Sequence, residues 1–164
     1  MVAHATTFAR ASLMTQQISH HDSRLTAWRA FLRAHARVVR ELERELQGEQ
    51  QLALTDYDVL VQLAAEGEHR LRMSELADRL LLSRSGATRL IDRLVAEGLV
   101  ERASCESDRR GQWAALTPAG YERLRRASPT HLRGVAEHFL DRLSADDLVE
   151  LERMLGSVAG DRNR

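Results

Sequence analysis

Lysine is absent. All 24 basic side chains are arginine, and 24 aspartates and glutamates cancel them to a net charge of zero, so charge alone names no partner. Cysteine is nearly absent too: Cys105 stands alone, which excludes a disulfide framework and a cysteine-rich zinc site. With two prolines and nine glycines in 164 residues, little interrupts a helix. No apolar run approaches the ~18 residues that a membrane span needs. The first residues also lack a charged segment followed by an apolar one, so no secretory leader is read there. A cytoplasmic protein is therefore expected. What is present suits one globular domain: 43% apolar residues can fill a core and 29% charged residues can wet a surface, against a disordered chain.

The charge does not cancel locally. Residues 69–126 hold 12 arginines against 8 acids, and the remainder holds 12 against 16, so a basic middle lies between acidic ends. That distribution suits a chain offering one face to a polyanion. Residues 1–22 lack apolar periodicity and are expected to be a flexible arm. Leu25, Trp28, Leu32, His35, Val39, Leu42 and Leu46 then alternate spacings of three and four, widened by Phe31 and Val38. They predict one long amphipathic helix whose apolar face needs a partner. Residues 48–54 read as a connection, and Thr55 as the N-cap of a second helix reaching Ala65. Residues 69–72 can form an edge strand, and Ser74 can cap a third helix carrying Leu76, Ala77, Leu80 and Leu81, with a break at Leu82–Ser83.

The stretch from Ser74 to Gly120 carries the chemistry. Ser83 can cap a helix that runs to about Glu97 and closes at Gly98. Within it Ala87, Leu90, Ile91 and Leu94 fall at i, i+3, i+4 and i+7 and face a core. The opposite face is Arg84, Ser85, Thr88, Arg89, Asp92 and Arg93. Short hydroxyls and arginines make a low surface that can enter a DNA major groove and aim guanidinium forks at guanine edges. Its N-terminus also offers backbone N–H groups to phosphate. Any surface helix is polar on one side, but glutamate and lysine usually dominate such a face. Leu99–Ala103 and Gln112–Leu116 predict a β-hairpin with a long polar loop, Ser104–Gly111. Arg109 and Arg110 in that loop suit a narrow minor groove, and Asp108 can hold the tip in shape. Thr117-Pro118 starts a long helix to about Leu143 with a kink near Pro129, and Ser144 with Asp147 opens a last helix with Leu148, Leu151 and Leu155 inward.

Helix, turn, helix, hairpin and helix in that order describe a winged helix-turn-helix. The run from Ser74 through Arg102, then Asp108-Arg109-Arg110 and Leu116-Thr117-Pro118-Ala119-Gly120, closely resembles the MarR family of bacterial transcription regulators. The resemblance covers residues 24–158. It implies a mainly α fold with a small β-hairpin wing, in which residues 55–117 form the winged helix-turn-helix and residues 23–48 with 118–160 a helical dimerisation region. It also implies a homodimer on double-stranded DNA at a palindromic operator, most often as a repressor. Carried over residue by residue, the DNA contacts fall on Ser83, Arg84, Ser85, Thr88, Arg89 and Arg93, with Asp108, Arg109 and Arg110 in the wing. A small phenolic or anionic effector is implied as well, with Trp28, Arg29, His35 and Tyr57 as candidate liners.

A dimer also has a physical motive. One recognition helix covers about four or five base pairs, too few to be rare in a genome of ~10⁶ or more sites. Other classes fare worse on the residues. A protein-interaction winged helix would present an apolar recognition face, which Arg84, Arg89 and Arg93 contradict. A redox switch would rest on Cys105, near Arg102, Arg109 and Arg110 but with no second cysteine to resolve it. The seven histidines include no i, i+4 pair, so neither a metal site nor a cofactor is expected. No catalytic ordering of Ser, His and Asp and no phosphate loop appears, and an enzyme is not expected.

Overall fold

A computed structural model describes residues 23–105 and 108–160. The expected arm, residues 1–22, lies outside them. The chain forms two compact units, one ending at Val39 and the other beginning at Arg40. No helix among the described residues is long and apolar enough to cross a membrane.

Helix α1, Ser23–Glu45, is the amphipathic helix that the spacing predicts. In the first unit its large apolar side chains are uncovered: Trp28, Phe31, Leu32 and Val39 are all exposed. Their rings stack along the helix at i, i+3 and i, i+4, Trp28 on Phe31 at 5.9 Å and Phe31 on His35 at 6.2 Å.

The second unit holds the core. Leu42 is buried, and Leu46 opens a π-helical turn, Leu46–Gln50, that carries the helix into the first residues of the connection expected at 48–54. Helix α2, Leu54–Ala64, begins two residues earlier than predicted, with Ala53 at its N-cap and Thr55 inside the first turn. The orphan N–H of Leu54 is satisfied by the Glu43 carboxylate at 2.8 Å, which relieves the cap position of that duty. Strand β1, Arg70–Arg72, leads into α3, Met73–Arg79. Here too the sequence misplaces the cap. Arg72 holds that position, its N–H donates to Glu75, and Ser74 lies within the first turn.

Leu81, expected in α3 with Leu76 and Leu80, instead lies beyond its end: it takes a left-handed φ of 53° and is 92% exposed in the tight turn that leads to α4, Arg84–Ala96. Strands β2, Val100–Cys105, and β3, Asp108–Leu116, complete an antiparallel sheet ordered β1-β3-β2. Alternation points Leu71, Ala114 and Val100 inward, and all three are buried. Much of the loop expected at Ser104–Gly111 is therefore paired strand, with an irregularity between Ala103 and Cys105. Main-chain pairing needs no apolar alternation, so the polar residues of this stretch give no sign of it.

Helix α5, Pro118–His138, stops short of Leu143; Phe139 leaves the helical region and a 3₁₀ turn, Leu140–Arg142, follows. Pro129 lies within α5 and removes one backbone donor there. Helix α6, Ala145–Ala159, opens on the expected capping box, Ser144 accepting from the Asp147 N–H and Asp147 from the Ser144 N–H, both at 3.2 Å. Leu148 and Leu151 are half-buried and Leu155 is exposed, so no side chain of α6 is buried. The buried residues Leu46, Val59, Leu60, Leu63, Leu76, Ile91, Leu94 and Val100 come from α2, α3, α4, β2 and the π turn. Each such burial contributes roughly 1.5–3 kcal/mol. They fix the platform on which the outer face of α4 stands.

Candidate nucleic-acid interface

The N-terminus of α4 is built by its own sequence. The Ser83 hydroxyl accepts the Gly86 N–H at 3.1 Å and lies 3.2 Å from the Ser85 hydroxyl. A Cβ on Gly86 would stand 3.2 Å from the Ser83 oxygen, so a residue with no side chain suits the cap. Ala87, Leu90, Ile91 and Leu94 are buried as the spacing predicts. Arg84, Ser85, Thr88, Arg89, Asp92 and Arg93 are all exposed. Thr88 donates its hydroxyl proton to the Arg84 carbonyl at 2.9 Å, leaving its oxygen outward only as an acceptor.

The C-terminal half of the helix is held differently. Asp92 accepts from Arg102 of β2 at 2.6 Å, and Arg102 also reaches Gln112 of β3 at 3.5 Å. Arg93 pairs with Asp56 in the first turn of α2. Asp56 is buried, and its hydrogen bond raises the Arg93 pKa above the ordinary arginine value. No spacing rule could have exposed either tie. Their partners are 10 and 37 residues apart and belong to different elements.

The hairpin is fastened at its base. The Thr117 hydroxyl caps α5 by accepting the Gly120 N–H at 3.0 Å, and it lies 2.8 Å from the Gly98 carbonyl and 3.1 Å from that of Leu99. On the outer face of the sheet, Arg70 and Arg72 lie over the Trp113 ring at 5.5 and 5.3 Å. Such cation–π contacts lay two cations beside the wing. The backbone of Asp108, Arg109 and Arg110 lies in β3, with Asp108 paired to Cys105. The side chains of these four residues lie outside the described residues.

Comparison with known proteins agrees with this geometry. A sequence profile described as MarR family matches residues 50–111, from the end of the π turn into strand β3 of the wing. AbsC, a MarR family transcriptional regulator from Streptomyces coelicolor, is 37% identical in sequence. The match covers 88% of this chain and 97% of AbsC, with a TM-score of 0.82. The chain belongs to the MarR family. Sco3205, another MarR family transcriptional regulator from Streptomyces coelicolor, was solved in complex with DNA. It is 35% identical, covers 90% of this chain and 95% of its own, and has a TM-score of 0.80. The transcriptional repressor MprA of Escherichia coli strain K12 is 37% identical over 75 residues, 46% of this chain. That stretch spans 43% of MprA, less than half of its length.

In this MarR-family chain the four candidate effector liners separate into two settings. Trp28, Arg29 and His35 are exposed on α1. Tyr57 is buried in the second unit, donates its hydroxyl to Ser128 at 3.4 Å and stacks on His131 with ring centres 4.3 Å apart. His131 escaped the sequence reading, although its Nδ1 is buried without a partner and burial lowers its pKa. His138 meets Glu45 at 2.7 Å with Glu137 alongside, a grouping that the histidine spacings did not suggest. Arg44 shares the same Glu45 oxygen at 3.4 Å, so the chain already supplies a cation there.

Proposed function

We propose that the protein is a sequence-specific DNA-binding transcriptional regulator, a repressor in its simplest form, acting as a homodimer on a palindromic operator. One observation carries this: the outer face of α4 exposes Arg84, Ser85, Thr88 and Arg89 over its N-terminal half while ion pairs brace its C-terminal half. Guanidiniums and hydroxyls on a rigid rod suit base edges in a major groove. The Ser83 cap and the helix dipole suit phosphate. Arg109 and Arg110 of the wing reach the minor groove or backbone, and Asp108 shapes the tip. Sco3205, solved with DNA, supports the same use of this fold.

The homodimer is supported by apolar surface that one chain leaves uncovered: Trp28, Phe31 and Leu32 on α1, and Met154, Leu155 and Val158 on α6. A two-fold pair sets the two recognition helices about 34–36 Å apart, one turn of DNA. A small phenolic or anionic effector relieves repression by binding one arrangement of the dimer more tightly than the other. Its support is the Tyr57–His131 pair with the unpartnered Nδ1.

Selection of duplexes from a random pool tests the regulator reading. The selected site is expected to be an inverted repeat. Arg89→Ala is expected to weaken binding to it by about 1–3 kcal/mol and to relax the preference at one position per half-site. A pool that yields no enriched sequence overturns the proposal.

A further inference from the structure

Arg93 lies on the polar side of α4, where a DNA contact is the first expectation. Its guanidinium is engaged by the protein instead. The partner, Asp56, keeps 8% of its side-chain exposure, whereas Arg93 keeps 50%. A carboxylate so buried is stable only while a charge partner and hydrogen bonds satisfy it. Were Arg93 to swing out to a phosphate, Asp56 would be stranded. The preceding residue, Asp92, is tied to Arg102 of β2 at 2.6 Å. Successive residues project about 100° apart around a helix of 3.6 residues per turn. The two ion pairs therefore grip α4 from two sides, one toward α2 and one toward the wing, and oppose rotation about its axis. That rotation decides where Arg84 and Arg89 point. Recognition geometry tolerates only about 10–20° of misdirection.

We infer that Asp56 and Arg93 form a positioning pair that sets the aim of α4 in the groove, with Arg93 acting through Asp56 and touching neither base nor phosphate. This rests on DNA reading by α4, as proposed above, and adds to it a residue of α2.

The test uses the full chain as wild type, Asp56→Asn, Arg93→Gln and the double variant. Each is titrated with the duplex that wild type selects and with a scrambled duplex, over a series of salt concentrations. Each single variant is expected to lose about tenfold in the ratio of selected to scrambled affinity, within the range of coupled neighbours. The double variant is expected to be no worse than either single one, and the slope of log K against log salt to stay at the wild-type value in all. A slope shallower by about 0.9 on losing Arg93 marks a phosphate contact and overturns the inference. Lost preference at a single base pair in Arg93→Gln, absent from Asp56→Asn, marks a base contact and overturns it too. So does an unchanged ratio in both single variants. Where Asp56→Asn alone does not fold, the double variant decides, since two amides can keep a neutral hydrogen bond: a wild-type slope supports the pair and a shallower one overturns it. A wild-type chain that binds both duplexes equally fails the regulator reading itself, an outcome distinct from failure of the pair alone.

Discussion

A Cβ placed on Gly120 would overlap the carbonyl oxygen of Leu99 and stand 2.8 Å from Cδ1 of Leu116. The first turn of α5 thus rests directly on the backbone where the wing begins, and the Thr117 hydroxyl spans the same junction. Because the obstacle is backbone, it cannot turn aside as a flexible side chain would. Gly120→Ala is expected to lower unfolding free energy in urea by about 1–3 kcal/mol, the usual cost of overpacking. Gly48 has open space around its missing Cβ, so Gly48→Ala is expected to be neutral or stabilising by up to about 1 kcal/mol. Equal effects at the two glycines would show that the Leu99 contact does not constrain the junction.

Ser83 has two duties that one substitution can separate. Its oxygen accepts the Gly86 N–H, a role that aspartate performs equally well and with a charge suited to the helix N-terminus. The same charge repels phosphate. Thermal melts should therefore rank Ser83→Asp level with wild type or above it, and Ser83→Ala about 1 kcal/mol below. Affinity for the selected duplex should rank them otherwise: wild type, then alanine, then aspartate. A single order in both measurements would mean that the end of α4 does not face the DNA backbone.

Which parts of this could be read from the sequence follows from how local each cause is. Ser83, Thr117-Pro118 and Ser144 with Asp147 cap their helices through partners within three residues, and all three are legible. The start of α2 is not, because its first N–H is satisfied by Glu43, eleven residues away. Apolar periodicity placed the inner face of α4 residue for residue. It could say nothing of Arg93, whose surroundings are decided by a carboxylate on another helix. The wing strands reach further than their side chains suggest, since a backbone ladder leaves no mark on polar residues. Tyr57 is a candidate from the sequence, but its ring partner His131, 74 positions on, meets it only through the packing of α2 and α5.

The exposed stripe on α6 gives a test of assembly that leaves the monomer core alone. Leu155 and Val158 lie outside the core, at 38% and 84% exposure. Arginine at both positions is expected to leave the helical circular dichroism intact while halving the mass seen by light scattering at micromolar concentration. Operator binding should weaken with it, because two half-sites are then met by two independent molecules. A wild-type mass of one chain, or a variant mass equal to that of a wild-type dimer, would remove α6 from the interface.

His131 makes stability depend on pH in a calculable sense. Burial disfavours its charged form and lowers its pKa below the ordinary 6.5. The unfolded chain therefore binds more protons than the folded one as pH falls through that ordinary value, and stability follows the difference. The contribution is complete above about pH 7 and is lost progressively as pH falls below about 6.5 toward the lowered folded value. Asp58 works in the opposite sense. Burial, reinforced by the charge of Glu43, raises its pKa, so protonating it favours the fold, but in the carboxylate range. Between pH 7.5 and 5.5 the urea midpoint is thus expected to fall, and His131→Phe, which can keep the ring contact with Tyr57, is expected to flatten that fall. Parallel pH curves for the two proteins would show that the imidazole charges in place without cost, and that its contact with Tyr57 does not depend on neutrality.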